Sequence, residues 1–143
     1  MPGTERSIRI DVSPEELYEL IVDFESYPEF LPELEETELL ERRGEEYRVR
    51  FVAQYIKRVE YVLRLTGAPG RELSWELEEG FFRRNEGGWI LEPEEGGTRA
   101  TYWIEVDMGP LVPRRILNTL AGTNLPRTLE AFKAEAERRS RAG

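Results

Sequence analysis

The spacing of apolar residues changes its period twice along the chain, and each change marks a boundary between kinds of structure. Ser7-Ile8-Arg9-Ile10-Asp11-Val12 alternates strictly, which puts Ile8, Ile10 and Val12 on one face and predicts a half-buried strand. Ser13-Pro14-Glu15-Glu16 then reads as a helix start, with Ser13 as N-cap, Pro14 in the first turn and Glu16 in the capping-box position. Leu17, Leu20, Ile21 and Phe24 follow at helical spacing, which predicts about three turns. Two prolines in Tyr27-Pro28-Glu29-Phe30-Leu31-Pro32 stop that helix and force an extended or turning segment. From Leu34 to Met108 the period is two. It predicts six strands, near 34–42, 46–54, 57–66, 72–79, 81–92 and 98–108. Gly44, Gly67–Gly70, Gly80, Gly87-Gly88 and Gly96-Gly97 read as turns or breaks among them. One face collects Tyr47, Val49, Phe51 and Ala53, then Val59, Tyr61, Leu63 and Leu65, then Leu73, Trp75 and Leu77, and finally Ala100, Tyr102, Ile104 and Val106. Connections this short imply antiparallel neighbours, because a parallel crossover needs a dozen residues or more. Helical spacing returns from about Pro113 to Arg139, interrupted by Gly122 and Pro126, which predicts one long helix kinked near 122–126. The reading is α+β: a β-α-β6-α unit with a seven-stranded antiparallel sheet, forming a single domain over residues 1–143.

Composition then removes whole classes of chemistry. The 20 basic residues face 29 acidic ones, for a net charge of −9. A nucleic-acid footprint needs the opposite balance, so no nucleic-acid partner is expected. With no cysteine and no histidine, thiolate catalysis, thiolate zinc, imidazole metal sites and serine–histidine triads all disappear. Asp11, Asp23 and Asp107 are the only aspartates and form no acidic loop, so no metal and no cofactor are expected. The glycine-rich turns lack the lysine and the following helix of a phosphate loop. No stretch nears the roughly 18 apolar residues of a membrane span, and Met1–Arg6 lacks the apolar core of a signal peptide. A cytoplasmic protein without integral membrane contact is expected. Of the basic residues only Lys57 and Lys133 are lysines, a bias expected of GC-rich bacterial coding.

Several short motifs in a particular order carry a resemblance. Val22-Asp23-Phe24, Tyr27-Pro28 and Phe30-Leu31-Pro32 follow the first helix. Gly88-Trp89 and Gly97-Thr98 precede the last strand, and Leu129-Glu130-Ala131-Phe132 lies in the last helix. Together they resemble the START-like SRPBCC superfamily. The branch they resemble is the polyketide cyclase/dehydrase and coenzyme-Q-binding group, which includes the ribosome-association toxins. The coenzyme-Q and toxin members usually continue with Trp-Cys, where this chain has Glu33-Leu34. The resemblance implies a helix-grip (START/Bet v-like) fold, in which a curved sheet wraps a long C-terminal helix and leaves an internal cavity.

The residues themselves point the same way. A sheet with one apolar face must cover it, only two helices are available, and curvature leaves a void walled by inward strand residues. Tyr47, Phe51, Tyr61, Trp75, Trp89 and Tyr102 are candidates for that wall, as plain core or as rings against a flat apolar ligand. Tyr27 and Phe30 are candidate gate residues, or else core caps. Asn118, Thr123 and Asn124 on the long helix are candidates to partner the tyrosine hydroxyls or to face a ligand, with Gly122 leaving room beside them, and the alternative for Asn124 is a surface or kink-satisfying amide. One member of the Arg83-Arg84 pair is expected to face inward as an anion clamp; the alternative is an outward arginine paired with glutamate. The adjacent glutamates Glu35-Glu36, Glu45-Glu46, Glu78-Glu79 and Glu94-Glu95 read as solvated strand ends, not catalytic pairs. The leading functional reading is binding or carriage of a hydrophobic or aromatic small molecule, such as a lipid, quinone or polyketide-like compound. The alternatives are a polyketide aromatase/cyclase, with Tyr102 and Arg84 moving protons, and a toxin-like interaction protein. Monomer and homodimer both stay open. Trp75 and Phe132 are expected in the core.

Overall fold

The computed structural model describes residues 3–54, 57–107, 109 and 125–142. Seven strands run β1 (Gly3–Ile10), β2 (Leu34–Arg43), β3 (Glu46–Gln54), β4 (Arg58–Ala68), β5 (Glu72–Gly80), β6 (Arg84–Glu94) and β7 (Gly97–Asp107). Helix α1 (Pro14–Ile21) and a 3-10 helix (Phe24–Glu29) separate β1 from β2, and helix α2 (Leu125–Ala142) closes the described chain. The strands form one sheet in the order β1-β7-β6-β5-β4-β3-β2, with every described pairing antiparallel. Consecutive strands from β2 to β7 are therefore neighbours, and β1 returns to pair with β7 at the far edge. This is the helix-grip architecture, with strand bounds within a few residues of those predicted.

Each end of the sheet is fastened by side chains. At the β1–α1 turn, Asp11 N–H donates to Glu137 of α2 at 2.9 Å, and the Thr98 hydroxyl donates to the Val12 carbonyl at 2.7 Å. These bonds take Asp11 and Val12 out of the ladder, so β1 stops at Ile10. Its start moves back to Gly3 because β7 offers partners as far as Glu105. At the β2–β3 end, the Glu45 carboxylate accepts from the hydroxyls of Tyr18 (2.8 Å) and Tyr47 (2.7 Å), tying α1 to the hairpin. Strand β2 carries two register shifts, between Leu34 and Glu36 and between Leu39 and Glu41. Its Leu39 N–H donates to the Glu25 carboxylate at 3.0 Å.

Three predicted features differ in the structure. Helix α1 is capped by Ser13, whose hydroxyl accepts from Glu16 N–H, but it ends at Ile21, after about two turns. The chain then tightens into the 3-10 helix, which turns both Phe24 and Tyr27 into the core, with Pro28 inside it. Strand β6 starts at Arg84, not at 81, and Gly87-Gly88 lies mid-strand, paired with Ile104 and Trp103, not at a break. A Cβ on Gly87 would stand 2.7 Å from the Trp75 ring on the inner face, and one on Gly88 would stand 2.9 Å from the Trp103 indole nitrogen. The glycines admit two indoles that cross the strand. The predicted helix from 113 is described from Leu125, and its expected kink near 122–126 falls largely outside the described residues.

The core lies between the sheet's inner face and the three helical elements. Ile10, Leu17, Leu20 and Ile21 are fully or almost fully buried, as are Val49 and Leu73. From α2, Leu129, Phe132 and Ala136 reach into the same cluster at three- and four-residue spacing. Phe132 is core as expected. Trp75 is only partly buried, packed against the cluster's edge. Arg139 of α2 reaches Asp23 at 3.0 Å and holds the C-terminal end of the helix against the turn after α1.

Candidate ligand-binding site

Aromatic side chains from seven elements join in one connected network. Phe24 meets Tyr47 and Tyr27 at 5.2 and 5.7 Å between ring centroids. Tyr27 and Phe30 both meet Phe132 edge-on, at 5.4 and 5.1 Å. Phe132 continues to Trp89 at 5.0 Å, Trp89 to Tyr102 at 4.9 Å, and Tyr102 to Trp75 at 5.5 Å. On the other side Phe51 stacks on Tyr61 at 5.3 Å, and Tyr61 meets Phe82 at 4.8 Å. Tilted and edge-on contacts of this kind stabilise a core beyond the area they bury.

The network splits the candidate wall residues into two groups. Tyr27, Tyr47, Phe51, Tyr61 and Trp89 are buried and packed on one another. Tyr27 donates its hydroxyl to the Ile21 carbonyl. Burial pushes the Tyr27 phenol well above its ordinary pKa, and the neighbouring Tyr102 and Asp23 add to the shift. Tyr27 is thus packed and hydrogen-bonded within the core. Phe30 is partly buried against Tyr27 and Phe132.

The second group sits at one end of the inner face. Along β5, Leu73 is buried while Trp75 and Leu77 are partly exposed. Along β7, Ala100 is buried while Tyr102, Ile104 and Val106 are partly exposed. The register places these gradients side by side, with Trp75 opposite Gly87, Gly87 opposite Ile104, and Asn85 opposite Val106. Phe81, just before β6, is also partly buried there, and Lys57 places its ammonium 5.3 Å from the Phe81 ring centroid. Trp75 and Tyr102 form a corner, their planes tilted by 50°. The Trp75 indole N–H donates to Asn85 Oδ1 at 3.2 Å, which fixes the plane of the ring. The outcome is an apolar recess with two ring faces, a phenol and a buried amide.

Arg84 is not in this recess. Its guanidinium lies on the outer face, half exposed, bonded to Glu86 and 2.7 Å from Glu105. Arg83 is exposed as well, so neither arginine faces inward as a clamp. The reason is parity: Asn85, Gly87, Trp89 and Leu91 take the inward positions of β6, and Arg84 falls between them. The adjacent glutamates behave as solvated strand ends with partners. Glu78 accepts from Arg48 and Arg64, and Glu94 from Arg9 and Arg99. Asn118, Gly122, Thr123 and Asn124 lie outside the described residues. Sequence reasoning missed Asn85, although a signal was present, since it shares the odd-numbered face of Gly87, Trp89 and Leu91. Another concavity, of about 250 Å³, is lined by Glu41, Arg43, Glu46, Tyr47, Arg48 and Arg64. Its charged, ion-paired rim sets it apart from the apolar recess.

The chain belongs to the polyketide cyclase/dehydrase and lipid transport family, whose model matches residues 10–133. Among solved structures it is similar to TTHA0849 from Thermus thermophilus, with 26% identity and a TM-score of 0.89 over 97% of this chain and 99% of that one. The Zhui aromatase/cyclase from Streptomyces sp. R1128 superposes with a TM-score of 0.86 at 21% identity, covering 98% of this chain and 96% of the other. A STAR-related lipid transfer protein from Xanthomonas axonopodis gives 0.76 at 18% identity, over 94% of this chain and 85% of that fragment. At these last two identities the likeness shows the fold alone. No curated protein matches the chain at a significant level. No helix among the described residues is long and apolar enough to cross a membrane.

Proposed function

We propose that the chain is a single-domain binding protein for a flat, largely apolar small molecule, held in the recess at the end of the inner face. The carrying observation is the burial gradient. Inward apolar side chains on β5 and β7 are sealed at Leu73 and Ala100 and stay partly exposed from Trp75 to Leu77 and from Tyr102 to Val106. A few convergent polar groups in an apolar hollow are the usual makings of a small-molecule site. Here those groups are the Tyr102 phenol and the Asn85 amide. The described inward positions of β5, β6 and β7 carry no carboxylate and no cation, which supports holding a ligand over moving its protons.

Isothermal calorimetry against a panel of quinones, flavonoids and fatty acids tests the reading. Saturable binding near micromolar affinity, about −8 kcal/mol, is expected for the flat aromatic compounds. Trp75→Ala should weaken it at least tenfold. Absence of saturable binding across the panel overturns the reading. A poly-β-keto surrogate separates carrier from cyclase: turnover above the uncatalysed rate that falls tenfold in Tyr102→Phe, about 1.4 kcal/mol of barrier, is the outcome that would establish catalysis.

A further inference from the structure

We propose that Asn85 is the selectivity residue of this recess, donating its amide N–H groups to an acceptor oxygen on the bound ligand. The proposal rests on the recess being a ligand site, and it specifies what the ligand must carry. Among the described residues the buried polar side chains are Asn85, 5% exposed, and Thr98, fully buried. Thr98 is accounted for by its bond to the Val12 carbonyl. Asn85 is only half accounted for. Its Oδ1 accepts from the Trp75 indole, and because an indole nitrogen can only donate, this contact settles which end of the amide is oxygen. The NH2 group therefore points away from Trp75. Among the described residues it makes no hydrogen bond, yet it is not sealed off from the space beside it.

This NH2 group, at a strand position flanked by Gly87 and facing Val106, is open to the space beside it, and a ligand that displaces water from it must replace the lost hydrogen bonds or lose affinity. The geometry around it supplies a place for one. The Trp75 ring passes close to Gly87, where a Cβ would stand 2.7 Å from the indole. Asn85 stands at the ring's edge through the indole hydrogen bond. A flat ligand lying on Trp75 would bring a carbonyl or phenolate oxygen on its rim to the amide. A hydrocarbon of the same shape would leave the donors unpaired, and a site built around a donor rejects such analogues.

Fluorenone and fluorene differ by one carbonyl in place of a methylene, so the pair isolates the contact. Equilibrium dialysis with chromatographic quantification gives both dissociation constants for the full chain and for the Asn85→Asp and Asn85→Leu variants. Asn85→Asp keeps an acceptor for Trp75 and loses the donor; Asn85→Leu removes both. The parent chain is expected to bind fluorenone about tenfold tighter than fluorene, and each folded variant to lose that preference to within about twofold. Equal binding of the two compounds by the parent chain overturns the assignment and leaves the recess as a ligand site. Persistence of the preference in a folded variant does the same. Failure of the parent chain to bind either compound overturns both the assignment and the ligand-site reading. The parent comparison decides the matter even where a variant does not fold.

Discussion

A ring that touches three others does more than its own burial implies. Phe132 is 2% exposed and meets Tyr27, Phe30 and Trp89 at 5.0–5.4 Å, so it joins α2 to the 3-10 segment and to β6. Phe132→Ala should cost about 3–5 kcal/mol in chemical denaturation, and a loss under about 1 kcal/mol would show that the junction repacks freely. Gly67 has a different constraint. A Cβ there would lie 2.0 Å from the Tyr18 hydroxyl, and Tyr18 is held by Glu45. Gly67→Ala should cost about 1–3 kcal/mol through that displaced ring, and Tyr18→Leu in the same chain should recover part of the loss. Single residues were unevenly legible in the sequence. Alternation placed Tyr47, Phe51, Tyr61 and Tyr102 on the inner face correctly. It did not separate Trp75 from the sealed core, because exposure along a strand depends on which helix covers it and alternation carries no such information. Gly87-Gly88 read as a break because nothing local shows that an indole crosses each one.

At the scale of elements, the outer face of the sheet is held by charge. Arg48 and Arg64 converge on Glu78, which bridges β3, β4 and β5, while Glu135 ties Arg138 and Arg139 along α2. Hydrogen bonds from these arginines hold the Glu78 and Glu135 carboxyls at about 2, below the usual 4.5. Their folded-state pKa values are depressed, so the unfolded chain binds more protons between about 4.5 and 2. The stability they confer is present above that window and falls as pH is lowered through it. The urea midpoint should therefore drop from about pH 5 to about pH 2, and Glu78→Gln should flatten part of the fall. An unchanged slope in that variant would show that Glu78 is not a principal contributor. Short elements such as the 3-10 helix were the least legible. The helical spacing that reaches Phe24 belongs to two different helices, and only the tertiary demand to bury Phe24 and Tyr27 together divides them.

For the molecule as a whole, a ligand that binds only the folded chain must raise its melting temperature, and the stabilisation grows with the logarithm of ligand concentration above the dissociation constant. At about one hundred times the dissociation constant the gain is about 2.7 kcal/mol, and calorimetric scans with a saturating aromatic ligand should show it. A melting temperature indifferent to a ligand that binds by dialysis would place binding on the unfolded chain as well. Global architecture was the most legible level, because the period change at Leu34 and the length of the β-rich stretch leave few ways to cover one apolar face. Among the described residues the open sheet also leaves two edge strands, β1 and β2, and an unpaired strand edge is a template for another chain. Strand β2 is poorly suited to that role. Its two register shifts break the even spacing that an incoming strand would need, and the Glu25 carboxylate already occupies the Leu39 N–H. A neighbouring molecule would have to displace that carboxylate and match two irregularities, so the β2 border is built to resist fibril growth by strand addition even though Leu39 and Leu40 stand exposed along it.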